Sequence, residues 1–512
     1  MALTDVVSFV NPWYVIIGLV SWITVTIWTR HLVADYKIRR LGATRAPVLL
    51  MNPISAIGHY YGLFKAQSKH RAAEHATDIM DTNFFEKKNF YEMSPTGIRR
   101  VLLTRDPEQI KAILATKFSD FGHGPKWHKL WKPFLGNGIF AVDGQMWHDS
   151  RSMIRPMFIK DRVGNLKIFD SCTEKLLAKL PAPGVTVDLQ DLFYRWTLDT
   201  TFSFLLGGSA NSLDNPTHEV ANAMAVAQKK QMLIFVLNAF NPIIPKTDYY
   251  RSIAALERFV DPFIVRAISL SEHELEELSK SDEDFTFLHS IARYTKDPRA
   301  IRDQIMSIIL AGRDTTASAL SWAVYELCGR KGAWAKLHAE VLQVLGRHGK
   351  PNYETLKDMS YVRYVLNETL RLHPSVPMNM RQALEDTTIP GEPGQPPIAM
   401  LKGDSVTYLT REMHLLKENY PPVSEKFEDH MVFSPERWEN WTPKPWTYTP
   451  FHGGPRICVG QNFALTEMAY CLVRLAQKYA RIEYRGDWDA QFLKTEIIGA
   501  PGLPIEVALF EE

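Results

Sequence analysis

The chain has 512 residues, 46% hydrophobic and 23% charged, and its 59 Lys and Arg against 57 Asp and Glu leave a net charge of +2. This is the mix of a folded globular protein rather than a disordered one, and so balanced a charge gives no reason to expect nucleic acid as a partner. Four scattered cysteines, Cys172, Cys328, Cys458 and Cys471, form no Cys-x-x-Cys pair, which excludes a disulfide scaffold and a zinc site and fits a reducing compartment.

Residues 6–29 carry no charged side chain. As a helix they extend ~36 Å, enough to cross a hydrocarbon core of ~30 Å. Trp13 and Tyr14 stand at one end and Trp28 at the other, where amphipathic rings prefer the interface. Arg30, Lys37, Arg39, Arg40 and Arg45 follow, against Asp5 alone upstream, so the positive-inside rule puts the rest of the chain in the cytosol. A cleaved signal peptide is the rival, but the basic n-region and the small-residue cleavage site are not evident. The expected division is a membrane anchor over 1–29, a basic linker over 30–50 and one large domain over 51–512. Length alone allows roughly two to four domains, yet no later linker divides the remainder.

Propensity predicts a strand over 97–104. Lys126, Lys129 and Lys132 form a basic cluster, read as a solvated face in preference to a docking site. Residues 135–141 hold two glycines and read as a tight turn. Trp147 and Arg151 are four apart, so on a helix the indole N–H and the guanidinium face one target, whether a ligand or simply each other. Residues 232–244 are apolar but too short to span a bilayer, which leaves an interfacial element or a buried helix.

Residues 301–330 contain no proline and predict one long helix, apolar on most sides in its first half and therefore buried. The run Ala311-Gly312-Arg313-Asp314-Thr315-Thr316 interrupts it with polar groups. The threonines can bond back one turn and bend the helix, making either a structural kink or room for a small ligand. Arg313 is expected to turn away into an ion pair. Residues 361–373 predict a helix stopped by Pro374, with Glu368 and Arg371 on one face. Arg381 comes shortly after, residues 397–410 read as a strand, and Pro435-Glu436-Arg437-Trp438 precedes the last helix, over 461–479. Between these lies Phe451-His452-Gly453-Gly454-Pro455-Arg456-Ile457-Cys458-Val459-Gly460. Glycines there allow a tight turn that aims bare N–H groups at the sulfur, and Arg456 is a fixed cation able to meet a carboxylate. A buried structural cysteine in a turn is the alternative.

Phe451, Gly454, Arg456, Cys458 and Gly460, together with Ala311-Gly312-x-Asp314-Thr315, Glu368-x-x-Arg371 and Pro435-Glu436-Arg437, resemble the signature segments of the cytochromes P450 in the same order. The resemblance covers residue 50 to the C-terminus. It implies a mainly α fold with a minor β sheet, a helical prism behind a single N-terminal transmembrane helix. It also implies haem b with Cys458 as the axial thiolate, the ligand that pushes electron density toward bound oxygen. Asp314 and Thr315 would relay protons, and Trp147, Arg151, Arg381 and Arg456 would meet the haem propionates. Glu368, Arg371 and Arg437 would form a structural cluster, and Val376 and Met378 would line the substrate pocket. Leu135–Phe140 with Asp143-Gly144, residues 311–317, 368–377 and 451–467 look most like the fungal alkane and fatty-acid hydroxylases.

That resemblance implies a membrane-bound monooxygenase of the endoplasmic reticulum, monomeric and single-pass, hydroxylating a long apolar substrate such as a fatty acid, an alkane or another lipid-like chain. No nicotinamide or flavin loop is evident, so NADPH electrons would come through a reductase. The alternatives are a secondary-metabolite oxidase acting on a polyketide or terpenoid, an oxygen-independent haem-thiolate isomerase, a silent lipid-binding haem protein and a haem-free scaffold.

Overall fold

A computed structural model describes residues 12–50, 53–81, 88–93, 100–159, 166–280 and 285–511. Residues 1–11 of the expected anchor and 97–99 of the expected first strand lie outside them. The chain divides into two compact units. One takes Met1–Lys65, Ala76–Gly122 and Met380–Tyr408, the other Ala66–His75, His123–Asn379 and Leu409–Glu512.

The first unit begins with helix α1, Pro12–Arg40, whose apolar residues Trp13 to Val25 stand in solvent. It is long and apolar enough to cross a membrane. The helix does not stop at Thr29, because nothing in the next eleven positions breaks it; Gly42, with φ of 62°, ends it. The stretch 30–50, expected as a basic linker, is therefore structured. Ile38 packs on Ala399 and Leu401, Lys37 pairs with Asp386 at 2.9 Å and Arg45 with Glu92 at 3.0 Å. The strands of this unit are β1 Val48–Leu50, β2 Phe90–Met93, β3 Val101–Thr104, β4 Phe121–Gly122, β5 Asn379–Ala383, β6 Thr387–Ile389, β7 Ile398–Met400 and β8 Ser405–Tyr408. Six make one sheet in the order β1-β2-β3-β8-β5-β4, and β6 pairs with β7. The expected strand over 397–410 is two strands parted by a turn at Gly403, whose φ is 95°.

The second unit is predominantly helical. Its site-building helices are α2 Gly124–Leu135, α3 Gly144–Ile154, α4 Leu189–Leu206, α5 Glu219–Val236, α6 Pro298–Gly329, α7 Ser360–Leu372 and α8 Gln461–Lys478. A hairpin of β9 Leu493–Thr495 and β10 Gly499–Pro501 packs on α6. A separate three-stranded sheet joins Arg481–Tyr484, Glu506–Phe510 and Thr186–Asp188. Helix α6 starts three residues before the expected 301, where Asp297 caps the Arg299 N–H at 2.9 Å and Pro298 takes the first turn. Ile301, Ile305, Met306, Ile308, Ile309 and Leu310 are all buried, as expected for a helix apolar all round. α4 crosses α6 at Gly312, where a Cβ would come within 2.8 Å of Thr201 Oγ1. The glycine thus serves close helix packing. Residues 232–244 divide between the end of α5 and a 3₁₀ turn over Asn238–Ile243, with Ile234 buried and Ile243 77% exposed.

Candidate active site

The Cys458 segment leaves a 3₁₀ turn over Gly454–Arg456 and leads into α8. Gly454 has φ of 68°, which only glycine adopts without strain. Gly453 is extended, and a Cβ there would meet the Trp446 ring at 2.5 Å. The Cys458 N–H donates to Phe451 O at 3.0 Å, and the Ile457 N–H to Gly454 O at 3.0 Å. Burial raises the Cys458 thiol pKa, while the Gly460 N–H donated to the sulfur and the Arg151 charge pull it back. The side chain is nonetheless accessible to small molecules. No group of three or more His, Cys, Asp and Glu among the described residues is arranged to hold a bare metal ion. A metal here would arrive inside a larger group and take one protein donor, which is how haem is held; these residues fit that group.

Two cations, Arg151 and Arg456, share the Trp147 ring beside that loop. Arg151 Nη1 donates to Ile457 O at 3.0 Å, and its guanidinium lies 5.8 Å from the ring of buried Trp147, one turn earlier on α3. Arg456 lies 4.6 Å from the same ring. Its Nη2 pairs with Asp143 Oδ1 at 2.6 Å and its Nη1 donates to Val142 O at 3.2 Å. Asp143 also accepts the His123 and Gly124 N–H groups, at 2.9 and 2.7 Å. The structure thus gathers Trp147, Arg151, Arg456 and Cys458, a cationic surround able to hold an anionic group. Arg381 belongs to the other unit, on β5, 5% exposed and 5.8 Å from the Tyr408 ring. Lys126, Lys129 and Lys132 all lie toward solvent on α2.

On α6, Asp314 is 3% exposed. Burial raises its carboxyl pKa, and the Arg313 charge and the Gln228 amide oppose that rise. Arg313 forms its ion pair with Asp314 itself, Nη1 to Oδ1 at 2.8 Å, and rests 5.1 Å from the Tyr194 ring. Gln228, on α5, donates its amide N–H to Asp314 Oδ2. The Thr315 hydroxyl donates back to Ala311 O at 2.7 Å. The Thr315 carbonyl accepts the Ser375 hydroxyl at 2.9 Å, and the Gly499 N–H donates to Ser375 O at 2.9 Å. This seats residues 374–378 between α6 and the β9–β10 hairpin, with Val376 and Met378 half-buried there.

Glu368, Arg371 and Arg437 are 0%, 0% and 1% exposed. Glu368 receives Arg371 through two contacts of 2.8 Å and Arg437 at 3.3 Å. It also accepts the Ser434 N–H at 2.9 Å and the Trp438 indole N–H at 3.0 Å. The arginines then donate to carbonyls of the 428–432 segment, Arg371 to His430 O at 2.6 Å and Arg437 to Asp429 O at 2.9 Å.

Sequence reasoning missed Gln228, Tyr194, Asp143 and Ser375. Each reaches its partner across a distant part of the chain, and no local pattern marks that.

A family profile described as Cytochrome P450 matches residues 65–507. The chain is 40% identical to cytochrome P450 monooxygenase pvhE of Talaromyces variabilis, over 93% of this chain and 92% of that protein. It is 36% identical to cytochrome P450 52A3-B of Candida maltosa, over 94% of each, and 37% identical to cytochrome P450 52A1 of Candida tropicalis, over 92% and 90%. A solved structure, the cytochrome P450DA heme domain, superposes with a TM-score of 0.75 at 21% identity, over 92% of this chain and 97% of that one, which speaks for the fold. An accessible thiol in a glycine turn, a polar break in a buried helix and a profile match over most of the length have one common explanation: the chain belongs to the cytochrome P450 family, haem-thiolate monooxygenases that take NADPH electrons through a reductase.

Proposed function

We propose that this monooxygenase hydroxylates a long apolar chain, a fatty acid, alkane or similar lipid, and that Cys458 is its axial ligand. The accessible sulfur of Cys458, receiving the Gly460 N–H with Arg151 beside it, carries the assignment. Those two groups favour the thiolate against the desolvation that opposes it. Trp147, Arg151, Arg381 and Arg456 would hold the two propionates. The haem supplies the oxidising chemistry, activating dioxygen with two electrons and placing one oxygen atom in a substrate C–H bond.

The chain's own part is to exclude water, orient the substrate and move protons. Asp314, steadied by Gln228 and Arg313, holds or releases a proton at its carboxyl. The Thr315 hydroxyl donates to Ala311 O, so its lone pairs remain able to accept. Thr315→Ala is expected to keep haem and NADPH consumption but to lower product per NADPH by on the order of tenfold to a hundredfold, with peroxide in its place. Parallel assays of product and peroxide check this; unchanged coupling removes Thr315 from the relay.

The exposed apolar α1 with basic residues behind it supports a single span in the endoplasmic reticulum membrane, the folded chain facing the cytosol. Exposed Ile243 supports contact of the 232–244 segment with the leaflet, on the side from which a lipid would come. The substrate class is tested by reconstituting the full chain with NADPH and its reductase in vesicles. A mixture of fatty acids, alkanes and polyketide acids is then supplied. Hydroxylated fatty acid or alkane is expected, and selective oxidation of the polyketide acids alone would replace the lipid assignment.

A further inference from the structure

The tip of the β9–β10 hairpin carries charges that the residues around Cys458 and Asp314 do not use. Glu496 follows β9 in the turn, its N–H donating to Ile498 O at 2.9 Å. Its carboxylate meets Lys494 Nζ at 3.0 Å and lies 3.3 Å from His70 Nδ1. Residues 70–73 are stitched to this tip. The Thr495 N–H donates to His70 O at 2.6 Å, and the Ala73 N–H donates to Thr495 Oγ1 at 3.4 Å. His70 is held with φ of 58°, in the left-handed region that favours glycine. Its Nδ1 is buried and, though close to Glu496, makes no hydrogen bond of ordinary geometry.

A further cation, Lys229, approaches from α5. It is exposed and pairs with no acid among the described residues. Burial lowers the His70 pKa, Glu496 opposes that fall, and the charges of Lys494 and then Lys229 add to it. The imidazole is therefore uncharged at neutral pH. Arg71, the next residue, is matched by Glu74 at 2.9 Å. Lys494 and Lys229 are left with Glu496 alone, two positive charges against one. In so partly buried a place the surplus cation attracts a carboxylate more strongly than it would in open water.

This charge lies on the Asp314 side of α6. Lys229 is the neighbour of Gln228, whose amide holds Asp314. The Glu496 charge reaches far enough to raise the pKa values of Asp314 and Tyr194, a smaller influence than their burial. The hairpin is fixed to α6 by the Ser318 hydroxyl, which donates to Gly499 O at 2.6 Å. Ile497 and Ile498 are half-buried in the hairpin turn, as are Val376 and Met378 in the segment the hairpin seats. Unmatched positive charge beside apolar surface suits a ligand that is apolar for most of its length and anionic at one end. An alkane has nothing to offer the lysines.

We propose that Lys494 and Lys229 bind the carboxylate of a fatty-acid substrate, with Glu496 and the His70 carbonyl positioning Lys494. This rests on the lipid reading of the function and narrows it to chains that end in a carboxylate. An ammonium has three donors, so Lys494 keeps two after meeting Glu496 and Lys229 keeps all three. The two lysines come from different elements, α5 and β9, and close on the carboxylate from two sides. The hydrocarbon chain then lies against Ile497 and Ile498.

The test uses the full-length holoenzyme, the single variants Lys494→Gln and Lys229→Gln, and the double variant. The probes are dodecanoate, its methyl ester and dodecane. Binding is measured by equilibrium dialysis and by the substrate-induced change in the haem spectrum, and turnover separately. The parent is expected to bind the acid more tightly than the ester, by a margin that shrinks as salt is added. Each single variant should lower the ratio of acid to ester affinity by about tenfold, the value of one charge-assisted hydrogen bond, and the double variant by more. The loss should appear in KM for the acid far more than in kcat, and Lys494→Arg should restore most of it.

Acid and ester weakened alike would make the lysines part of the packing and overturn the proposal, and so would an unchanged ratio. An unchanged ratio with weaker binding to vesicles of anionic phospholipid would assign the lysines to lipid headgroups instead. Should the variants lose haem, the parent decides: dodecanoate bound no more tightly than its methyl ester at low salt overturns the proposal. Failure of the lipid reading itself looks different, since the parent would then bind none of the three dodecyl compounds.

Discussion

Glu368→Ala is expected to leave little folded, haem-loaded protein. Its carboxylate is fully buried and receives Arg371, Arg437, the Ser434 N–H and the Trp438 indole. Removing it strands two guanidiniums that have no solvent to turn to. Breaking a buried ion pair from one side costs about 3–5 kcal/mol, and here two cations are orphaned at once. Stabilities run at about 5–15 kcal/mol, so the loss takes a large share of what holds the chain folded. The damage also spreads, because the same arginines donate to His430 and Asp429 carbonyls and so pin the 428–432 segment. The expected measurement is a large fall in melting temperature and in haem content per chain, with the surviving fraction near parental rate per haem. A variant that folds normally but turns over slowly would move Glu368 from scaffold to chemistry. Burial alone would raise the Glu368 pKa, but the Arg371 charge and hydrogen bonds, then Arg437, hold it below the ordinary carboxylate range. Its contribution is therefore present above that ordinary range and lost as pH falls through the depressed value. The parent's stability should fall along that acid limb, and the alanine variant should lack it.

How much of this was legible in the sequence differs by feature. Helix α6 was legible because its buried residues crowd into one run, though its start was not: the apolar run begins at 301, whereas the Asp297-Pro298 cap fixes the first turn. The end of α1 was missed for the opposite reason. Charge replaces apolarity after Thr29, but Lys and Arg are good helix formers and the backbone continues to Arg40. The six-stranded sheet was not legible. β3 pairs in parallel with β8 across more than three hundred residues, Val101 with Ser405, and short strands with distant partners leave no local period. The motif residues Trp147, Arg151, Arg456 and Cys458 were legible because turns and i,i+4 spacing confine them locally, and the structure draws them together. Gln228 was not, since it reaches Asp314 from another helix.

The largest effect on activity is expected from Cys458→Ala, which should abolish product formation and the thiolate-type carbonyl spectrum while the chain remains folded. The sulfur contributes little to the shape of its own loop. Gly454 provides the turn, Cys458 N–H to Phe451 O and Ile457 N–H to Gly454 O close it, and Arg151 and Arg456 brace it from α3 and Asp143. None of these involves Sγ, so an alanine keeps the loop. No other sulfur is equipped to take over. Cys172 and Cys471 are buried with thiols raised by burial, and Cys328 is pushed up to about 12. Among the four cysteines Cys458 alone is exposed, and it alone has a backbone N–H and a guanidinium favouring its charge. Circular dichroism and thermal melting should match the haem-free parent, which separates loss of the ligand from loss of the fold. Survival of the carbonyl spectrum in the alanine variant would place the axial ligand on another residue, and with it the orientation inferred for Arg151, Arg456 and Trp147.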